Sequence, residues 1–460
     1  MPGRVLVIDC GGTISSTHGD DGKLANHEGS TKNLLDQEMT KANQSKLFVM
    51  KGWSLHYETG IIKDSSTMVI SDWQAICQHI LDNHESVSGV VVTHGTDTLA
   101  YSAAALSFGI NCLPFPVVLT AAQFSLAESY SDAPLNFLGA CVAAFTAPPG
   151  VFVFMNHKLM LGTRIMKFSA TDIDSFETFR ANCVGVYSKE LILNEHVTKM
   201  CYLRKVWIGM NELIKRMHST QIDTSFATAV GFTLQDYARS LHMEELLENL
   251  LLKEDKNPNA IQHKVTLLGH HTPHLPAHNS RSRQELAAVI SFWDKIKALL
   301  MGSQHLIKLN EFSHSITILL FPGLEKSIIQ QNITATFQNG PGAVLFVAYG
   351  SGNGPSWIHS LYDIFPHVLF AVCSICPKGS VGSEYEAGLV SSRENVANCY
   401  DMTMEASYVK LCWVLSRLKA RLHQTTNQGP SPMRIAKNEM EQDFLGEVSP
   451  NFKLSSNDKL

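Results

Sequence analysis

Short β-branched runs punctuate the first 190 residues: "VLVID" (5–9), "SGVVVTHG" (88–95), "FPVVLTAAQ" (115–123) and "GVFVFM" (150–155). Each is bounded by Gly, Pro or polar residues, which predicts a strand. Between them, "SDWQAICQHILDNHES" (71–86) and "TLAYSAAALSFGINC" (98–112) repeat their apolar residues at helical spacing. Strands that are apolar throughout, separated by amphipathic helices, predict a largely parallel α/β sheet with crossover helices on its faces.

A second, shorter α/β pattern starts near residue 314. "SITILLFPG", "GAVLFVAYG" and "HVLFAVCS" read as strands, "LEKSIIQQNI", "SWIHSLYDIF" and "MEASYVKLCWVLSRLKARL" as helices. The stretch between the two patterns is different. It is helix-prone at "MEELLENLLLKEDK" and loop-like at "HHTPHLPAHNSRSRQ". His263, His270, His271, His274 and His278 gather there without the fixed spacing of a metal site, so a solvated linker is expected. The polar last 30 or so residues are expected to end in a loose tail. The predicted architecture is therefore a larger N-terminal parallel-sheet α/β domain (1–194), a helical insertion or linker (195–313), a smaller C-terminal α/β domain (314–450) and a tail (451–460).

Composition narrows the class. At 460 residues and 45% hydrophobic, the chain has material for more than one buried core. A charged fraction of 17% and a net charge of −5 give no electrostatic footprint for nucleic acid or an anionic membrane. No apolar run approaches the ~20 residues of a membrane span, and "VLVID" is too brief for the core of a secretion signal. Ten scattered cysteines, most in apolar surroundings, read as buried reduced thiols of a cytoplasmic protein. Cys373-x-x-Cys376 has no second pair to complete a metal site.

Ligands of open α/β sheets bind beyond the carboxyl ends of the strands, and the polar residues found there are unusual. The first strand runs into Gly11-Gly12-Thr13, which reads as a phosphate cradle, a nucleophile mount or a plain turn. The second ends in "THGTDT", with Thr96 and Asp97 next to a helix start that Asp97 or Thr98 would cap in the plainest reading. The third leads to Gln123 and Ser131-Asp132, and Lys167 follows in "TRIMKFSATDIDSFETF". Two threonines, an aspartate and a lysine together suit acyl transfer by a hydroxyl nucleophile. The hydroxyl needs a base, and a lysine kept neutral by burial supplies one. The cradle reading casts Asp9 as a magnesium holder, but a kinase needs a further adenosine motif, and no GxxxxGK[ST] occurs.

Seven strings carry a resemblance to the bacterial-type L-asparaginases, closest to their cytoplasmic type I branch. They are "VIDCGGTIS", "KDSSTMVISDWQAI", "VVVTHGTDTLAYSAAALSF", "TAAQFSLAESYSDAPLNFLGA", "RIMKFSATDIDSFETF", "AYGSGNGPS" and "DMTMEASYVKL", in family order over roughly 1–190 and 314–445. The resemblance implies hydrolysis of L-asparagine to L-aspartate and ammonia through a threonine acyl-enzyme, with no metal or cofactor. It also implies a homodimer or dimer of dimers with the active site between subunits. Thr13 matches the nucleophile, and Thr96, Asp97 and Lys167 match the second catalytic group. Ser65, with Ser66 beside it, matches the holder of the substrate α-carboxylate, Asp97 receives the α-ammonium, and the Ala122 carbonyl accepts the side-chain amide. The pattern departs in places. Lys23 occupies the position of a family tyrosine, and no tyrosine occurs between Ile14 and Gly52; Lys23, His18 or His27 are the nearby substitutes. Val347 and Met166 replace residues of the allosteric site, of which only Cys376 matches, so cooperative regulation is not expected. The alternative implied by these departures is a catalytically impaired asparaginase fold that binds an amino acid or a protein partner.

Overall fold

The computed structural model describes residues 3–449 apart from 19–22, 26–27, 111, 218–289, 291–292, 295, 298–308, 339 and 424–429. The His263–His278 cluster and the 451–460 tail lie outside the described residues.

The N-terminal sheet is built from β1 (Arg4–Asp9), β4 (Ser54–Thr59), β5 (Gly89–Thr93), β6 (Pro116–Thr120), β7 (Gly150–Met155), β8 (Lys158–Leu161), β11 (Gly185–Tyr187) and β12 (Leu191–Leu193). Two-residue ribbons pair β2 (Thr17–His18) with β3 (Leu24–Ala25) and β9 (Met166–Lys167) with β10 (Phe176–Glu177). Spatial order is β12-β11-β8-β7-β6-β5-β1-β4. The run from β4 to β7 is parallel, and β8, β11 and β12 extend it antiparallel. The chain leaves β1 for β4 on one side and returns to β5 on the other, so the order reverses between β1 and β5. That reversal opens a crevice at the carboxyl ends of those two strands.

Alternation explains why the strands are apolar throughout. Val5 and Val7 of β1 face one core with α1 (Glu28–Gln44) and α5 (Ala133–Thr146); Leu6 and Ile8 face another with α3 (Ile70–Asn83) and α4 (Leu99–Gly109). Successive strand residues point to opposite faces, and here both faces are covered.

The C-terminal unit is a parallel sheet in the order β13 (Ile316–Leu319), β14 (Gly342–Ala348), β15 (Val368–Ser374), β16 (Val396–Asn398). After α2 (Lys46–Lys51) and α6 (Glu195–Met217), the remaining helices are α7 (Lys326–Phe337), α8 (Ile358–Ile364), α9 (Met404–Leu422) and α10 (Pro432–Glu441). One core joins the two units: Ala104, Ala105 and Phe108 of α4 pack with Leu345, Leu369 and the buried face of α9. A helix between two sheets is buried all round, which is why α4 is written in Ala, Ser and Leu rather than as an amphipathic stripe.

The C-terminal stretch belongs to the fold as far as Ser449: α10 docks through Ala436 and Met440, and Glu447 and Val448 are fully buried. Charge pairing adds to apolar contact in this polar stretch. Lys410 on α9 meets Glu447 at 2.6 Å with both side chains fully buried. The middle stretch is also tied to the fold at both ends, through buried Cys201 on α6 and through Trp293, Ile296 and the Ile110–Leu309 bridge.

Candidate active site

β1 delivers a strained turn to the crevice. Asp9, fully buried at its end, accepts hydrogen bonds from the Gly11 N–H (3.0 Å) and from the hydroxyls of Ser15 (3.4 Å), Thr93 (2.7 Å) and Tyr57 (3.3 Å). Burial raises the Tyr57 phenol to about 12, so it stays protonated as a donor. With its carboxylate enclosed by these donors, Asp9 is a turn organiser rather than a magnesium holder, and the phosphate-cradle reading loses its metal ligand. Gly12 sits at φ +86°, ψ 176°, a region essentially restricted to glycine. A Cβ there would lie 2.4 Å from the Gly95 nitrogen. The first strand end therefore touches the second with no room for a side chain between them. Thr13 opens a 3-10 turn (Thr13–Ser15), half-buried, its hydroxyl without a hydrogen-bond partner among the described residues.

The second strand end is held from behind by a histidine. His94 is fully buried, its Nδ1 2.8 Å from the Gly95 carbonyl and its Nε2 2.9 Å from Ser102 Oγ, which in turn accepts from Trp73 Nε1 at 3.1 Å. A carbonyl only accepts, so Nδ1 carries the proton and Ser102 donates to Nε2. Burial lowers the His94 pKa to about 4, which keeps the ring neutral in that relay. Beyond it, Lys167 Nζ lies 2.8 Å from Thr96 Oγ1 and 2.8 Å from Asp97 Oδ1. Thr96 is buried, whereas the Asp97 side chain is 60% exposed at the mouth of the crevice. Neither Asp97 nor Thr98 caps α4: the Thr98 hydroxyl donates to the Ser65 carbonyl at 2.7 Å. The plain capping explanation of "TDT" therefore fails, and a trio of hydroxyl, amine and carboxylate stands in its place.

Ser65 forms the third wall. It opens a 3-10 turn (Ser65–Thr67) and is buried, and a Cβ on Gly95 would lie 2.5 Å from its Oγ. Ser66 is exposed, its N–H donated to Asp64. Ala122 is buried just past β6. The loop that follows is stitched to the Thr13 turn by Leu126 N to Ile14 O (3.0 Å), by Ser125 Oγ to Ser16 O, and by the His18–Glu128 pair at 2.8 Å. Asp132 clasps the same loop by accepting from the N–H groups of Gln123 and Phe124 and from Asn136. Lys23 is exposed beside β3, and His27 lies outside the described residues.

Lys167 reaches the site on the β9–β10 ribbon. Lys158 grips that ribbon through Asp174 (2.9 Å) and Glu177 (2.8 Å). Three residues before the lysine, Arg164 is buried and paired with Asp401 of the C-terminal unit at 3.0 Å. Arg180 donates to the carbonyls of Pro377 and Met402 across the same junction. Sequence reasoning missed Asp9, His94, Lys158 and Arg164 as supports. For Asp9, His94 and Arg164 the signals were faint: an acid two residues before a glycine, a histidine inside an apolar strand end, and an arginine within "GTRIM". Among the described residues no group of three His, Cys, Asp or Glu is placed to hold a metal, and no helix is long and apolar enough to cross a membrane.

Comparison with known proteins follows the same lines. Residues 4–199 match the family description "Asparaginase, N-terminal" and residues 317–425 match "Glutaminase/Asparaginase C-terminal domain". The L-asparaginase of Thermococcus kodakarensis is 31% identical over 193 residues, covering 42% of this chain and 56% of that protein. L-asparaginase 1 of Escherichia coli K12 is 34% identical over 173 residues, covering 37% and 49%. The 60 kDa lysophospholipase of Mus musculus is 24% identical over 362 residues, covering 77% and 46%. The chain thus spans about half the length of the curated relatives it matches. Among solved structures, the thermostable L-asparaginase from Thermococcus kodakarensis superposes with a TM-score of 0.62 at 20% identity, over 97% of this chain and 99% of that one. L-asparaginase I from Vibrio cholerae gives 0.61 at 21% identity, over 98% and 100%. Both describe the same fold.

Proposed function

The chain belongs to the asparaginase family, and from that membership we propose that it hydrolyses L-asparagine to L-aspartate and ammonia. The observation that carries the reading is Lys167 Nζ at 2.8 Å from both Thr96 and Asp97, across a Gly12–Gly95 backbone contact from Thr13. In the proposed scheme the Thr13 hydroxyl attacks the side-chain amide carbon and forms a β-aspartyl ester as the amide nitrogen takes up a proton and leaves as ammonia. Thr96, hydrogen-bonded to Lys167, then orients and activates the water that cleaves the ester and returns a proton to Thr13. Ser65, with Ser66 beside it, holds the α-carboxylate, the exposed Asp97 carboxylate receives the α-ammonium, and the Ala122 carbonyl accepts from the amide. The scheme uses no metal or cofactor.

Two further parts of the reading are a cytoplasmic location and assembly as a homodimer or dimer of dimers. Eight of the ten free cysteines are buried, as suits a reducing compartment. Val69 and Phe168, close in sequence to Ser65 and Lys167, are exposed apolar residues that a partner subunit would cover.

Ammonia release from L-asparagine by the full chain tests the proposal. Thr13→Ala and Thr96→Val are expected to fall to the enzyme-free blank. Wild type releasing no more ammonia than Thr13→Ala would refute turnover. One observation favours a second reading, binding without turnover: Lys23 stands exposed where the family resemblance calls for tyrosine. That reading predicts that L-aspartate raises the melting temperature while no ammonia appears.

A further inference from the structure

Behind the sheet, away from the crevice, α6 closes a small cavity against Val151 of β7, Leu161 of β8, Ser107 of α4 and Leu445 of the C-terminal stretch. It leaves about 20 Å³ free for a water-sized guest, enough for one water or one ion of similar size. Two cations line it, Arg204 and Lys205. Arg204 is answered by Asp443 at 3.0 Å. Nearby, Lys410 is answered by Glu447. Lys205 is only 7% exposed and has no ion pair or hydrogen bond among the described residues. Burial pulls its pKa below the ordinary lysine range. A buried ammonium without a partner is costly, and native structures answer such a group with a counter-charge or a ligand.

We propose that this cavity is a binding site for a small monovalent anion, a halide-sized ion held between Lys205 and Arg204. Three features select that class. Of the two lining cations only Arg204 has a carboxylate partner, Asp443, which leaves Lys205 without a counter-charge among the described residues. The space admits one sphere and excludes phosphate or an organic acid. The remaining walls are chiefly apolar, which favours an ion of low hydration over water. Both cations lie beyond residue 199, where the match to the N-terminal family model ends, while the walls from α4, β7 and β8 lie within it. Its position between the sheet, α6 and the C-terminal stretch means that an occupied site would clamp all three together.

The test is thermal unfolding of the full chain in sodium chloride or bromide against sodium gluconate at matched ionic strength, since gluconate is too large for the cavity. Wild type is expected to gain about 2 °C per tenfold increase in halide beyond its gluconate curve, and Lys205→Met is expected to lose that difference. Coincident halide and gluconate curves for wild type would overturn the proposal, as would a halide response that persists in Lys205→Met. If Lys205→Met does not fold, anomalous diffraction from wild-type crystals soaked in bromide decides. A peak within hydrogen-bond reach of Lys205 Nζ supports the site, and its absence sinks it.

Discussion

Asp401→Ala removes the carboxylate that answers a buried guanidinium, and the structure predicts a large loss of stability from it. Arg164 is 3% exposed and donates to the Gly446 carbonyl (2.5 Å), to the Asp401 carbonyl (3.1 Å), to Asp401 Oδ2 (3.0 Å) and to Ser449 Oγ (3.2 Å). Asp401 also accepts from the Ser449 N–H at 2.9 Å. Removing the carboxylate leaves the guanidinium charged in a closed site, which costs about 3–5 kcal/mol, and leaves one N–H short of an acceptor, about 1 kcal/mol more. Replacing both partners, Arg164→Met with Asp401→Leu, leaves no buried charge and is expected to cost only about 1–2 kcal/mol, mostly for carbonyls left without a donor. Urea unfolding of wild type, both single variants and the double variant measures the coupling, with near-ultraviolet dichroism reporting Trp413, which packs on Phe444 beside the junction. The loss in Asp401→Ala is expected to be nearly independent of salt, because a buried pair is weakly screened. A cost below about 1 kcal/mol for Asp401→Ala, or a double variant no better than the single, would refute the account.

Gly12→Ala places a Cβ 2.4 Å from the Gly95 nitrogen at φ +86°; we expect a loss of at least about 2 kcal/mol in chemical unfolding together with loss of ammonia release. His94 is lowered from 6.5 to about 4 by burial, so the unfolded chain binds its proton first as pH falls. The stability contributed is complete above pH 6.5 and drains away as pH falls toward 4; melting at pH 7 and pH 5 should differ by about 2 kcal/mol from this group, a difference that His94→Gln removes. Lys158→Met releases Asp174 and Glu177 from the ribbon that carries Lys167. Because that cluster is partly solvated, stability should fall by less than about 1 kcal/mol while ammonia release falls further, and equal retention of both would argue against a positioning role.

The elements were legible because each obeys one period. β1, β5, β6 and β7 are short apolar runs ended by Gly or polar residues, and they fold where the pattern places them. The candidate residues at strand ends were legible for a related reason: Thr96 and Asp97 are polar where an α/β sheet puts its ligand. What sequence concealed is long-range polar pairing. Nothing local in "EQDFLGEVSP" reveals that Glu447 is fully buried against Lys410, or that Ser449 meets Asp401. Charge looks like solvent exposure until its partner is known. His94 was concealed in the opposite sense, because a histidine beside a catalytic-looking threonine invites a chemical role, and its geometry gives it a supporting one.

Arg164 makes the order in which the chain is completed matter. Its acceptors arrive 237 residues later at Asp401 and 285 residues later at Ser449. Until those residues emerge, the segment leading to Lys167 carries a charge with nowhere dry to go, although every strand of the first sheet is already available. Closing so long a loop adds only about 0.6 kcal/mol over one half its length, so the delay is one of synthesis rather than of search. The segment leading to Lys167 is thereby anchored in part by the last described residues of the protein, and a growing chain would hold a finished sheet well before it held that anchor.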